Sequence, residues 1–366
     1  MPNLRRLLYP AYRKLETNVH PLRYLFLEIT QVCNLNCRHC GSDCGRNTQL
    51  DELDTEDWLR FFSYLAEHFD RRKLAVVITG GEPLCHPEWD RLLNGLKEHG
   101  LAWGMVTNGY DLTEGAVKKL TAHNLNSVTV SLDGLKKNHD WLRGKKGSFD
   151  RAVRGLKHLA SARIPFFDVV TCVNPRNLDE LPEIMRLLKQ VGVPRWRLFS
   201  IFPKGRAAGD SDLLLDKEGF VAMLDFIRQA KEEHKDQDFD LNFSCEGYLP
   251  KEWESKVREE PYFCRAGISI GSVLCDGAIS ACPNISRSLV QGNIRKDDFK
   301  TIWEKRFQPF RDRRWLKKGP CADCKLFNRC QGNSLHLYDD EMGHTALCTH
   351  RLLSDPEIKT AADSVC

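Results

Sequence analysis

Between Tyr24 and Phe202, short β-rich runs alternate with longer helical patterns six times over, and this alternation constrains the fold more than any other property of the chain. The runs Tyr24–Thr30, Leu74–Thr79, Ala102–Thr107, Ser127–Leu132, Phe166–Val173 and Trp196–Phe202 are mostly apolar, as expected of parallel strands covered on both faces. Between them Thr55–Phe69, Pro87–His99, Thr113–His123, Ser148–Ala162 and Leu178–Val191 place apolar residues at helical spacing, and Asp216–Lys231 follows the last strand. Thr55, Thr113 and Ser148 are the expected N-caps. Repeated strand–helix units with right-handed crossovers build a parallel sheet, so the expected class is α/β, doubly wound or an incomplete barrel. Either architecture puts function at the carboxyl ends of the strands.

The unusual residues fall at that end. Cys33, Cys37 and Cys40 follow the first strand, Gly80-Gly81-Glu82-Pro83 the second, Asn108-Gly109 the third, Asp133-Gly134 the fourth and Asn174 the fifth. After Lys231 the pattern changes, and nine of the 15 cysteines lie from Cys245 onward in loop-rich sequence. The expected division is a lead segment 1–23, a barrel 24–239, a cysteine-rich domain 240–350 and a tail 351–366. A net charge of +4 over 366 residues gives no basis for a nucleic-acid partner. The apolar runs are far shorter than the roughly 20 residues a membrane span needs. Only Leu7, Leu8 and Tyr9 separate Arg5-Arg6 from Pro10, which is not a signal peptide, so a cytoplasmic location is expected. There thiols stay reduced, and clustered cysteines point to metals rather than disulfides.

Cys33-Asn34-Leu35-Asn36-Cys37-Arg38-His39-Cys40 is a C-x3-C-x2-C run on a loop leaving a strand. Three thiolates cannot complete a four-thiolate zinc site, whereas an iron–sulfur cubane on three cysteines leaves one iron open. A zinc knuckle borrowing Cys44 or His39 is the alternative. The run resembles the signature of the radical S-adenosylmethionine (radical SAM) family, with His39 where an aromatic residue is usual. Thr79-Gly80-Gly81-Glu82-Pro83 is similar to the family's GGEP segment, and Ser131-Leu132-Asp133-Gly134 and Arg143-Gly144 also match. The resemblance implies a 4Fe-4S cluster on Cys33, Cys37 and Cys40, and S-adenosylmethionine held by Gly80, Gly81, Glu82, Pro83, Ser131, Arg143, Asn174 and His39. It implies reductive cleavage to a 5′-deoxyadenosyl radical that takes hydrogen from the substrate. The fold it implies is a partial (β/α)6 TIM-like barrel.

Cys321-x2-Cys324-x5-Cys330 followed by Cys348, with Cys264, Gly277 and Cys282 upstream, resembles the SPASM domain, an extension carrying auxiliary iron–sulfur clusters. By that resemblance Cys321, Cys324, Cys330 and Cys348 form one complete set, for which a structural zinc site is the alternative. The other set keeps Cys264 and Cys282, has Cys275 as a candidate third ligand, and carries Ser334 where the family has cysteine. Either that cluster persists on three thiols or those cysteines are small core residues, so one or two auxiliary clusters are expected. Of the remaining cysteines, Cys172 reads as core packing, Cys44 as support for the cluster loop, and Cys85, Cys245 and Cys366 have no assigned role.

The resulting expectation is a radical SAM/SPASM enzyme acting on a peptide or small protein, as most SPASM members do. Residues 39–44 give it the look of a subgroup associated with small lipoprotein partners. Tetrapyrrole side-chain processing is the alternative within enzymes, and a zinc-binding interaction protein the alternative outside them. An electron donor such as flavodoxin or ferredoxin is implied. With 23 residues ahead of the first strand, any recognition module is expected on a separate chain. The segment Phe199–Arg206 is the expected lining of the barrel mouth.

Overall fold

The alternation becomes a sheet whose strands are covered unequally on their two faces. The computed structural model describes residues 4–46, 49–234, 238–244 and 247–358; Cys245, Cys366 and the end of the tail lie outside the described residues. Helix α1 (Leu4–Val19) leads into β1 (Tyr24–Glu28), followed by α2 (Thr55–His68), β2 (Ala75–Thr79), α3 (Trp89–Glu98), β3 (Ala102–Thr107), α4 (Glu114–Ala122) and β4 (Leu125–Ser131). Next come α5 (Lys136–Arg143), α6 (Ser148–Ser161), β5 (Phe166–Val173), α7 (Leu181–Val191), β6 (Arg195–Ser200), α8 (Lys217–Glu233) and β7 (Asp240–Phe243). β1 to β7 are parallel neighbours in chain order, which is the partial TIM-like barrel.

The expectation of strands buried on both faces needs correction. β5 and β6 alternate fully buried with half-buried residues. The buried set packs on helices, as where Trp196 meets Phe226 of α8 edge-on. The other face is polar: Thr129 donates to Asp168 at 2.6 Å, and Arg197 bonds both. A barrel open along one side leaves its inner face partly solvated, so polar residues are tolerated there.

Two of the three expected N-caps shift by one residue. Asp54, not Thr55, caps α2 in a reciprocal capping box with Asp57, and the Thr55 hydroxyl donates to Glu88. Ser148 lies inside α6, whose cap position is Gly147 at φ 83°. The carboxylate of Asp140 takes over, accepting from Gly147 N, Phe149 N and the Ser148 hydroxyl. Thr113 caps α4 as expected, accepting from Ala116 N.

The C-terminal part extends the same sheet from its other edge. β8 (Ile270–Val273) runs parallel to β1, and β9 (Ala278–Ser280) and β10 (Gly292–Asn293) add antiparallel beyond it. A single apolar cluster, from Leu22 to Ile358, runs through both parts. Among the described residues no helix is long and apolar enough to cross a membrane.

Candidate active site at the three-cysteine loop

The loop after β1 is held by main-chain contacts that only glycine permits. Gly81 N donates to Thr30 O at 2.7 Å and Glu82 N to Val32 O at 3.0 Å. A Cβ on Gly80 would lie 2.2 Å from Thr30 O, and one on Gly81 2.4 Å from Val32 O, so the close approach given by Gly-Gly is to the cysteine loop itself. On the far side, Asn36 N and Arg38 N donate to Arg143 O and Leu142 O, carbonyls that the end of α5 leaves without helical partners. Gly144 closes α5 at φ 66°, where a Cβ would meet Asn36 O at 2.2 Å. A third clasp is Arg206: Nε donates to Cys37 O at 2.7 Å, and Nη1 to Cys44 O and the Asp43 carboxylate.

Cys33 and Cys37 are buried with Cys44 in one small cluster, and Cys40 packs against it. Each of the three sulfurs accepts at least one N–H, Cys33 and Cys40 also taking the main-chain N–H groups of Leu35 and Ser42. Asn108 Nδ2 lies 3.8 Å from Cys33 Sγ, Arg143 Nη1 3.7 Å from Cys37 Sγ, and Cys44 N 3.3 Å from Cys40 Sγ. Burial pushes the Cys33 thiol up to about 12 and also raises Cys37, against which the Arg143 charge works. Hydrogen bonding from Cys44 instead brings Cys40 down to about 6.

Asp133 is the hub beneath the loop. Fully buried, it pairs with Arg143 Nη2 at 2.5 Å, accepts from Cys172 N at 2.8 Å, and has His39 Nε2 at 3.6 Å. Burial is the largest single influence and would raise its carboxyl, but the Arg143 guanidinium, with His39, His139 and the Cys172 N–H added to it, together hold it below the ordinary value. Burial lowers His39 to about 4, so it is neutral at pH 7. His39, Asp133 and Cys172 present metal-ligand atoms within 4.8 Å of one another, but the guanidinium already supplies the positive charge there. Cys172, expected as core packing, is half-buried on β5 and packs against the Leu142, Ile201, Ala207 and Leu213 cluster while its main-chain N–H serves Asp133. Asp133, Asn108, Cys172 and Arg206 contact the cysteine loop or its supports without spacing having given them a role; the strand-end positions of Asn108 and Asp133 were the available signal.

Glu82 is fully buried and accepts from Thr107 Oγ1 and Asn108 N, both at 2.8 Å, and from Leu84 N; burial raises it to about 7. Pro83 starts a single 3-10 turn. Ser131 ends β4, and Asn174 is buried in its own turn, accepting from Arg176 N. Buried Arg143 Nε and His39 Nδ1 have no protein partner. Three converging thiols, a donor for each, and two unpartnered polar atoms beside them suit a cluster with an anionic ligand on its open iron.

In the C-terminal part, Cys330 lies among Cys321, Cys324 and Cys348 and accepts from Asn333 N at 3.2 Å. Half-buried Cys264 neighbours Cys282 and Arg313, and receives the main-chain N–H groups of Ala266 and Leu335. Ser334 stands beside them with Tyr262 Oη 3.0 Å from its hydroxyl. Cys275 is elsewhere, near Glu28, Glu52 and Asp276 at the β1 edge. Of the expected mouth lining, Phe202 packs on Gly41 and His336, and Lys204 donates to Asn284 O.

The chain carries a radical SAM domain followed by an auxiliary-cluster domain, the domain pair of a radical SAM enzyme. Residues 27–188 match the Radical SAM superfamily model, and residues 264–325 match the SPASM model, an iron-sulfur cluster-binding domain. Among curated proteins the chain is similar to an AdoMet-dependent heme synthase of Methanosarcina barkeri, 28% identical over 349 residues, covering 90% of this chain and 97% of that one. It is also similar to the mycofactocin maturase MftC of Mycolicibacterium smegmatis, 29% identical over 314 residues, covering 84% and 76%. Among solved structures, native anSMEcpe with bound AdoMet matches with a TM-score of 0.67 at 17% identity over 94% of each chain, a likeness of fold.

Proposed function

We propose that this enzyme holds a 4Fe-4S cluster on Cys33, Cys37 and Cys40, binds S-adenosylmethionine beside it, and directs the chemistry at a peptide or small protein. Bound cluster and S-adenosylmethionine supply one electron and the 5′-deoxyadenosyl radical that removes a substrate hydrogen. The chain's own residues bury the loop against water, aim an N–H at each thiolate, and leave Arg143 Nε as a donor for the methionine carboxylate. In this reading Gly80, Gly81, Glu82 and Pro83 shape the loop's floor, and Cys321, Cys324, Cys330 and Cys348 carry an auxiliary cluster. Cys264 and Cys282, separated from Cys275, act as packing thiols.

The observation that carries the peptide reading is the state of the β6 exit. Arg206, one of the two cations there that could hold a tetrapyrrole propionate, has its Nε and Nη1 engaged by Cys37 O, Cys44 O and Asp43. The near-full-length similarity to a heme synthase favours tetrapyrrole processing as a second reading. To separate them, the anaerobic enzyme is incubated with S-adenosylmethionine and reductant, with either small lipoprotein-derived peptides or iron-coproporphyrin. Loss of two hydrogens from a peptide in step with 5′-deoxyadenosine supports the first reading; a Soret shift with decarboxylated product overturns it. Reduction by flavodoxin or ferredoxin, and dependence on a separate recognition chain, are read in the same assay.

A further inference from the structure

The pair Asp133–Arg143 is buried, yet it ends on a sulfur. Arg143 Nη2 meets Asp133 Oδ2 at 2.5 Å while Nη1 of the same guanidinium reaches Cys37 Sγ at 3.7 Å. Asp133 is itself fixed: Oδ1 accepts from Cys172 N at 2.8 Å, the main-chain oxygen accepts from Asn177 Nδ2 at 2.9 Å, and the main-chain N–H donates to His139 Nδ1 at 3.0 Å. α5 delivers the guanidinium, and its own last carbonyls hold the loop that carries Cys37. The three parts therefore form one rigid unit in which the carboxylate determines where the N–H points.

We propose that Arg143, aimed by Asp133 as a positioning residue, donates to the Cys37 sulfur and so raises the reduction potential of the cluster on Cys33, Cys37 and Cys40. Reduction adds negative charge that spreads onto the ligand sulfurs, and hydrogen bonds to those sulfurs stabilise the reduced state. Burial keeps water and salt from screening the effect. Among the described residues, the other N–H groups at the sulfurs, from Asn108 Nδ2 and the main chain of Leu35, Ser42 and Cys44, are neutral donors, whereas this one carries a full charge. The proposal rests on the assignment of the cluster to those three cysteines.

The test is a potentiometric titration of the iron-loaded enzyme followed by EPR, using the signal that disappears when all three cysteines are changed to Ala. Arg143→Gln is expected to lower the midpoint so that the reduced fraction at fixed potential falls at least tenfold, about 59 mV for one electron. Asp133→Asn separates positioning from plain charge. Loss of a negative charge by itself favours reduction, whereas loss of the aim of Arg143 disfavours it. A lowered midpoint in Asp133→Asn, with no further lowering when it is added to Arg143→Gln, supports the proposal. A raised midpoint in Asp133→Asn, or an unshifted one in Arg143→Gln, overturns it. Should Asp133→Asn fail to take up iron, Asp133→Glu keeps the charge and displaces the carboxylate: a lowered midpoint supports the proposal and an unchanged one overturns it. Persistence of the EPR signal in the triple Ala variant would instead refute the cluster assignment.

Discussion

The loop of residues 33–45 and the region of residues 262–348 both gather cysteines, but they hold them by different means. The loop is clamped by other parts of the barrel: glycines of the β2 exit beneath it, α5 carbonyls beside it, and Arg206 across it. Its shape is over-determined by the protein alone. Around Cys321, Cys324, Cys330 and Cys348 the chain is single 3-10 turns, a four-residue helix, a hairpin of two-residue strands and the six-residue helix Thr349–Ser354, with little regular structure besides the thiols. There the metal is expected to supply what secondary structure does not.

The largest difference should therefore appear on metal loss. Cys324→Ala should lose about four iron atoms per chain and unfold the C-terminal part, seen as rapid proteolysis after about residue 310, while S-adenosylmethionine cleavage by the barrel cluster persists. Retained iron in that variant, with zinc in the wild type, would break the contrast.

A second difference concerns pH. Glu82, under the loop, is pushed up to about 7 by burial, well above its ordinary 4.5. Protonated Glu82 suits the fold, so its stability contribution is complete below about pH 4.5 and is lost as pH rises through about 7, roughly 3 kcal/mol in all. Glu28, also raised to about 7 by burial, shares this behaviour. Urea titrations between pH 4.5 and 8 should show a decline in stability that Glu82→Gln reduces by about half; an unchanged slope would show that the site is more solvated than its burial implies.

The smallest test compares two glycines. Gly144→Ala combines a left-handed φ with a Cβ 2.2 Å from a main-chain oxygen of the loop and should cost about 3 kcal/mol. Gly277→Ala, at φ 85°, meets a side chain rather than main chain, the Asn293 amide held by Asp276 O and Arg295 N, and should cost less, about 2 kcal/mol. Equal costs by denaturant titration would mean that the loop yields as readily as the C-terminal turn.

How much of this was legible in the sequence follows from how local each signal is. All six expected strands were readable to within two residues because apolar runs and periodicity are properties of a few consecutive positions. β7, four residues with two polar ones, and the eight-residue α5 were too short to register. The cysteine loop and GGEP were readable because each is continuous. Asn108, Asp133 and Arg206 acquire their partners only when β3, β4 and the β6 exit converge, and no spacing encodes that. Cys275 shows the opposite failure: seven residues before Cys282, it lies across the β8–β9 hairpin, which takes it towards β1 rather than to its sequence neighbour.

The account stands on the claim that Cys33, Cys37 and Cys40 hold the cluster that engages S-adenosylmethionine. The direct measurement is the EPR spectrum of the reduced, iron-loaded enzyme before and after adding S-adenosylmethionine, in wild type and in the variant with all three cysteines changed to Ala. The account predicts a signal that changes on addition in the wild type and is missing from the variant, which keeps about four iron atoms per chain from the C-terminal set. The same S-adenosylmethionine-responsive signal in the variant would contradict it.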